Sequence, residues 1–93
     1  MDSAEREIVV LFEEHYEELC RYAARLTGGA EAFEDFVEEG FLRLYVRRLK
    51  GVRVDNPVGW LVRTIRNLAI DYLRAHRTAL RDCGPADISE IAS

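Results

Sequence analysis

The sequence predicts an all-α protein, a compact bundle of three main helices. Apolar residues recur at positions i, i+3, i+4 and i+7 through long segments, which is the period of one helix face. Turn-forming residues at 27–29 and 50–56 divide these segments into three. With 93 residues the chain is one domain at most. A core is marginal at this size, so helices with local contacts are the economical arrangement.

The first helix is predicted to run from about Ala4 to Thr27. Its apolar face carries Ile8, Leu11, Phe12, His15, Tyr16, Leu19, Tyr22, Ala23 and Leu26. Gly28 follows and suits the left-handed conformation of a helix C-cap. Cys20 lies on the apolar face, so we expect it to be a small buried hydrophobe.

The second helix is predicted from about Ala30 to Leu49, with two unlike faces. One face carries Phe33, Phe36, Val37, Phe41 and Leu44, with Gly40 among them. Glycine costs about 1 kcal/mol of helix propensity relative to alanine, so Gly40 is expected to let another helix approach closely. The other face carries Asp35, Glu38, Glu39, Leu42 and Val46, with Leu49 near it. This face suits a protein partner that is apolar at its centre and basic at its rim. A solvated acidic face with single apolar residues is the alternative.

The third helix is predicted to start with Asn56 as N-cap and Pro57 as first residue, and to reach about Leu80. Its predicted buried stripe is Val58, Leu61, Ile65, Leu68, Ala69 and Tyr72. The opposite side of the helix carries Arg63, Asn67, Arg74 and Arg77. Trp60 and Asp71 lie beside these polar residues. An exposed aromatic ring beside arginines suits nucleic acid, because guanidinium groups pair with phosphates and the ring stacks on an unpaired base. Periodicity alone equally allows Trp60 to fold back over the preceding connector as a partial core residue.

The charges of the chain are unevenly distributed. Residues 1–42 carry a net charge of −9, residues 43–81 a net charge of +8, and the whole chain −4. A polyanion would be repelled by the first half and attracted by the second, which favours two different partner surfaces. Residues 1–80 are predicted to form the domain, and residues 81–93 a linker or disordered tail.

Several classes of function find no support in the sequence. No run of eighteen apolar residues is present, so no membrane span is expected. The acidic N-terminus does not resemble a signal peptide, which indicates the cytoplasm. We find no nucleophile with a histidine, no phosphate-binding glycine loop and no set of metal ligands. We therefore expect neither an enzyme nor a bound metal or cofactor.

Three segments occur in an order and spacing that resemble a known family. They are LFEEHYEELCRYAARLTG, AFEDFVEEGFLRLY and WLVRTIRNLAIDYLR. Together they resemble region 2 of bacterial sigma factors, specifically the extracytoplasmic-function (ECF) group. The most specific part is the spacing of Trp60, Leu61, Asn67, Asp71 and Arg74.

The resemblance implies two partners, core RNA polymerase and promoter DNA. The residues that it implies for polymerase binding would contact the clamp coiled coil of the largest polymerase subunit. They are Asp35, Glu38, Glu39, Leu42, Arg43 and Val46. The resemblance also implies a set of DNA-binding residues that would recognise and melt the minus-ten element and hold the non-template strand. They are Arg53, Asn56, Val58, Trp60, Arg63, Arg66, Asn67, Arg74 and Arg77. An anti-sigma protein is a further partner that the family allows.

Two alternatives remain open at this point. The chain could be an interaction module that binds polymerase or an anti-sigma protein without reading DNA. Family members normally also carry region 4, a helix-turn-helix domain, whereas this sequence ends in what resembles the linker before it. We therefore expect an excised fragment rather than a natural single-domain relative.

Overall fold

The computed structural model describes residues 3–29 and 33–81, with side chains up to His76. Within this part the chain forms α1 (Ser3–Thr27), α2 (Phe33–Leu49) and α3 (Pro57–Arg81), and each helix packs against the other two. The predicted all-α bundle of three helices is confirmed. The expected start of the second helix at Ala30 and residues 82–93 of the expected tail lie outside the described residues. Arg81, predicted as the first residue of the tail, is instead the last residue of α3. None of the described helices is long and apolar enough to cross a bilayer.

Glycines in the left-handed conformation end the first two helices. Gly28 has φ +67°, and the N–H of Gly29 donates to the carbonyl of Ala24 at 2.8 Å. Gly51 has φ +81°, and the N–H of Val52 donates to the carbonyl five residues earlier at 2.9 Å. Both ends are Schellman motifs, in which the left-handed residue redirects the chain and satisfies helix carbonyls. The C-cap predicted at Gly28 is confirmed.

The start of α3 is fixed by its capping side chain. Asn56 Oδ1 accepts a hydrogen bond from the N–H of Gly59 at 3.1 Å, and Pro57 is the first helical residue. An amide oxygen at this position satisfies one of the backbone donors that the first turn leaves without a helical partner. The predicted N-cap is confirmed. Because the N-cap sets the start of α3, it also sets the position of Trp60, which directly follows Gly59.

All three helices contribute to one hydrophobic core. Its buried residues are Leu19, Ala23, Val37, Phe41, Leu44, Leu61 and Ile65. α2 and α3 meet at Gly40, where a Cβ would lie 3.3 Å from Ile65 Cγ1. The close approach predicted for this glycine is confirmed. Of the six residues in the predicted stripe of α3, three are buried and Val58, Leu68 and Tyr72 are half-buried.

Polar contacts tie α1 to the second half of α2. Arg48 forms an ion pair with Glu7, and the Tyr45 hydroxyl donates to Glu5 Oε1 at 3.3 Å. Part of the positive charge of α2 therefore faces acidic residues of α1 and is compensated inside the molecule.

Cys20 corrects a detail of the prediction for α1, because it is half-buried rather than buried. It packs at the edge of the core, one turn after Tyr16. Burial raises the pKa of its thiol, and a hydrogen bond to Cys20 raises the pKa of Tyr16 to about 12. Both side chains are thus protonated at neutral pH, consistent with a structural role.

Candidate functional site

A groove of about 510 Å³ runs between the outer sides of α2 and α3. Its volume lies within the range of about 300–1,000 Å³ that is usual for small-molecule sites. α2 contributes Glu39, Leu42, Arg43, Val46 and Arg47, and α3 contributes Trp60, Arg63, Thr64 and Asn67. The groove thus combines an aromatic ring, three arginines, an amide and an apolar wall.

Helical spacing explains why these residues share one groove. On α3 the lining residues stand at i, i+3, i+4 and i+7 from Trp60, which places them on one stripe. This stripe lies directly beside the buried stripe that includes Leu61 and Ile65. The lining residues of α2 likewise follow its buried Val37, Phe41 and Leu44 by one to three positions. Packing the two buried stripes together therefore brings the two outer stripes to the same side of the bundle.

The α2 wall is amphipathic. Leu42 and Val46 are 55% and 39% exposed, which is high for apolar side chains. Arg43 Nε donates to Glu39 Oε2 at 2.9 Å, one helical turn away. An exposed pair at this spacing stabilises a helix by only about 0.3–0.5 kcal/mol, so a stronger partner can replace either member.

Trp60 is half-buried, and both interpretations of its role find support in its surroundings. Part of the side chain packs against the core, as expected of a partial core residue. Another part lines the groove with Arg63 and Asn67, as expected of a nucleic-acid contact. The guanidinium carbon of Arg47 lies 5.5 Å from the centre of the ring, within the range of a cation–π interaction.

The structure brings only some of the predicted DNA-binding residues together. Trp60, Arg63 and Asn67 line the groove. The others are not among its lining residues: Arg53, Asn56, Arg66 and Arg74 are exposed elsewhere, and Val58 is half-buried. The side chain of Arg77 lies outside the described residues. The groove is therefore a smaller and more sharply defined site than the predicted set.

The predicted polymerase-binding residues were expected on a different partner surface from the DNA-binding residues, but four of the six adjoin Trp60 in the structure. Glu39, Leu42, Arg43 and Val46 line the same groove as Trp60. Asp35 and Glu38 are exposed in the first turns of the same helix. A helical wheel treats each helix alone, so it cannot show that two outer stripes converge when the helices pack.

Sequence reasoning missed Arg47 and Thr64 as residues of the site. Arg47 stands four residues after Arg43, a spacing that places the two on one helix face. That signal assigns Arg47 to the outer face of α2 but gives no hint of its contact with Trp60.

Among the described residues, no three His, Cys, Asp or Glu side chains are grouped to hold a metal ion.

Comparison with known proteins identifies the family. The model of the family described as "Sigma-70 region 2" matches residues 11–79, which include most of α1, all of α2, nearly all of α3 and the groove. The ECF RNA polymerase sigma factor SigL of Mycobacterium tuberculosis is 40% identical over 68 residues, which are 72% of this chain and 38% of the relative. The ECF RNA polymerase sigma factor SigE of Mycolicibacterium smegmatis is 28% identical over 81 residues, or 87% of this chain and 31% of the relative. The chain thus spans about a third of the length of these relatives. No solved structure gave a significant match.

Proposed function

Because the chain belongs to the sigma-70 region 2 family, as the region 2 domain of an ECF sigma factor, we propose that it binds core RNA polymerase and melts the minus-ten element of promoters. In this proposal it holds the unpaired non-template strand along the α3 side of the groove between α2 and α3. The observation that carries the proposal is the placement of Trp60, beside two arginines and an amide, in an open groove.

The groove has the parts that a single strand requires. An aromatic ring stacks on any base, and each such stack is worth about 1–3 kcal/mol. Arg63, one turn after Trp60 on the same stripe, is exposed and can neutralise a phosphate beside the stacked base. Asn67 is exposed one further turn along, and its amide can both donate to and accept from a base edge.

Melting in this site needs binding but no bond chemistry. Taking one base out of a duplex costs a few kcal/mol. A stacking ring that returns about 1–3 kcal/mol, together with phosphate contacts, offsets much of that cost. A base inside a duplex already has both faces covered by its neighbours, so stacking on Trp60 favours the open strand over the closed duplex.

The outer face of α2 is the proposed polymerase contact. Exposed Leu42 and Val46 form an apolar centre, and Asp35, Glu38 and Glu39 supply negative charge beside it. This composition fits a basic partner with an apolar centre, such as the clamp coiled coil of the largest polymerase subunit. The same face could receive an anti-sigma protein, which would then compete with polymerase. Both activities belong to the cytoplasm, where the polymerase works.

A pure interaction module is the second candidate function. It is favoured by the same exposed apolar residues of α2, which need no DNA to explain them. It predicts that the groove contributes nothing to the binding of single strands, and this separates it from the first proposal.

The test compares Trp60→Ala and Trp60→Phe for two kinds of binding. Trp60→Ala should weaken binding to a single-stranded DNA oligonucleotide by about five- to 150-fold, the equivalent of one lost base stack. Binding to core polymerase should change far less. Trp60→Phe keeps a stacking ring and should restore most of the strand affinity, which separates stacking from a defect in packing.

Two outcomes would contradict the proposal. One is unchanged strand binding by Trp60→Ala. The other is an equal loss of strand and polymerase binding by a variant whose circular dichroism spectrum shows an intact fold.

A further inference from the structure

We infer that Arg47 is a lid over Trp60: its guanidinium covers the ring in the free chain, and an unpaired base must displace it to stack there. The inference rests on the proposed single-strand function and names how access to that site is regulated. Arg47 comes from α2, so the lid connects the proposed polymerase-binding helix with the DNA-binding ring.

The position of Arg47 is the first observation. Its guanidinium carbon lies 5.5 Å from the centre of the Trp60 ring, and both side chains line the groove. A base stacked on Trp60 would lie flat against the face of the ring, in the space where the Arg47 guanidinium lies. The guanidinium therefore occupies a position that a base would need.

The charge partners of the neighbouring arginines are the second observation. Arg43 is paired with Glu39, and Arg48 is paired with Glu7. Arg47 lies between them on α2, and in the described part of the chain no carboxylate is within ion-pair distance of it. Of these three cations, Arg47 is thus the one held by the ring rather than by an acid.

A cation held only by a ring can be exchanged. When a strand enters the groove, a base can take the face of Trp60 while Arg47 turns into solvent, where its guanidinium is hydrated; a strand without bases leaves Arg47 on the ring. A solvent-exposed cation–π contact would reduce the apparent stacking affinity by about two- to fivefold.

The test uses Trp60, the only tryptophan of the chain, as its own reporter. Arg47→Ala should increase the quenching of Trp60 fluorescence by acrylamide in the free chain, because the ring loses its cover. Lys50→Ala is the matched control, because it removes one positive charge from the exposed residue that follows the same helix, without touching the ring. It should leave the quenching unchanged.

The second measurement isolates base stacking from charge. Affinity is measured for an oligothymidine of about twelve nucleotides and for a sugar–phosphate strand of equal length without bases. Both strands carry the same phosphates, so the affinity for oligothymidine divided by the affinity for the base-free strand reports the contribution of the bases. In Arg47→Ala this ratio should rise about two- to fivefold over the unaltered chain, and in Lys50→Ala it should not change.

The possible results separate the two proposals. Unchanged quenching in Arg47→Ala would overturn the lid. A base-dependent ratio that exceeds one in the unaltered chain but stays constant or falls in Arg47→Ala would overturn it as well. A ratio near one in the unaltered chain would instead contradict single-strand stacking itself, while increased quenching in Arg47→Ala would still show that Arg47 covers the ring.

Discussion

Replacing Gly40 with valine should destabilise the fold and disturb the groove together. Gly40 is buried where α2 packs on α3, and a Cβ there would lie 3.3 Å from Ile65 Cγ1 and 3.5 Å from Leu61 Cδ2. Valine adds two more carbons to a Cβ that is already in tight contact. The helices must separate, and the groove between their outer stripes must widen with them.

The expected loss of stability follows from two opposing effects. Overpacking a core costs about 1–3 kcal/mol. Replacing glycine inside a helix returns roughly a few tenths of a kcal/mol, because valine is the better helix former of the two. The net loss should be about 1–2.5 kcal/mol, which lowers the melting temperature by about 4–20 °C in a domain of this size.

Thermal unfolding followed by far-ultraviolet circular dichroism measures this loss. Leu42→Val is the matched control, because it introduces the same residue into α2 at a position that is 55% exposed. It should change stability by less than about 0.5 kcal/mol. Trp60 fluorescence should shift to the red in Gly40→Val alone. If Gly40→Val were as stable as Leu42→Val, the close packing of α2 on α3 would be refuted.

Three further predictions address the partners and the α1 thiol. Asp35→Arg combined with Glu38→Arg should abolish association with core polymerase and leave the circular dichroism spectrum unchanged; unimpaired association would show that polymerase uses another face. The affinity for a single strand should fall steeply with salt, and Arg63→Gln should reduce the slope of log affinity against log salt by about 0.7, the value for one phosphate contact; an unaltered slope would exclude Arg63 from that role. Burial raises the pKa of Cys20 above its ordinary value of 9.0, so the unfolded chain loses this proton first and the free energy of unfolding should fall as the pH rises past that value. Cys20→Ala should make the fall shallower, and an identical pH profile would contradict the raised pKa.

Local signals made much of the fold predictable from the sequence. Gly28 could be assigned because a left-handed C-cap depends on one residue type at one position. Asn56 and Pro57 mark the start of α3 by the same kind of local chemistry. Gly40 was informative because a glycine within an apolar helix face has few reasons to be there other than close packing.

The candidate site was less predictable because it depends on how two helices meet. Trp60 lies at the border between the buried and the exposed stripe of α3, and the neighbouring helix decides how much of such a residue is covered. Arg47 contacts Trp60 across thirteen positions of sequence, and no periodicity within one helix reveals that pair. The convergence of Glu39 and Leu42 with Asn67 in one groove has the same origin.

Fluorescence of the single tryptophan during titration with single-stranded DNA tests most directly whether a base stacks in the groove. If Trp60 receives an unpaired base, an oligothymidine should quench its emission in a saturable manner, whereas a strand of equal length without bases should bind through its phosphates and leave the emission almost unchanged. Equal quenching by both strands, or binding of oligothymidine with no change in emission, would contradict the placement of the strand against this ring.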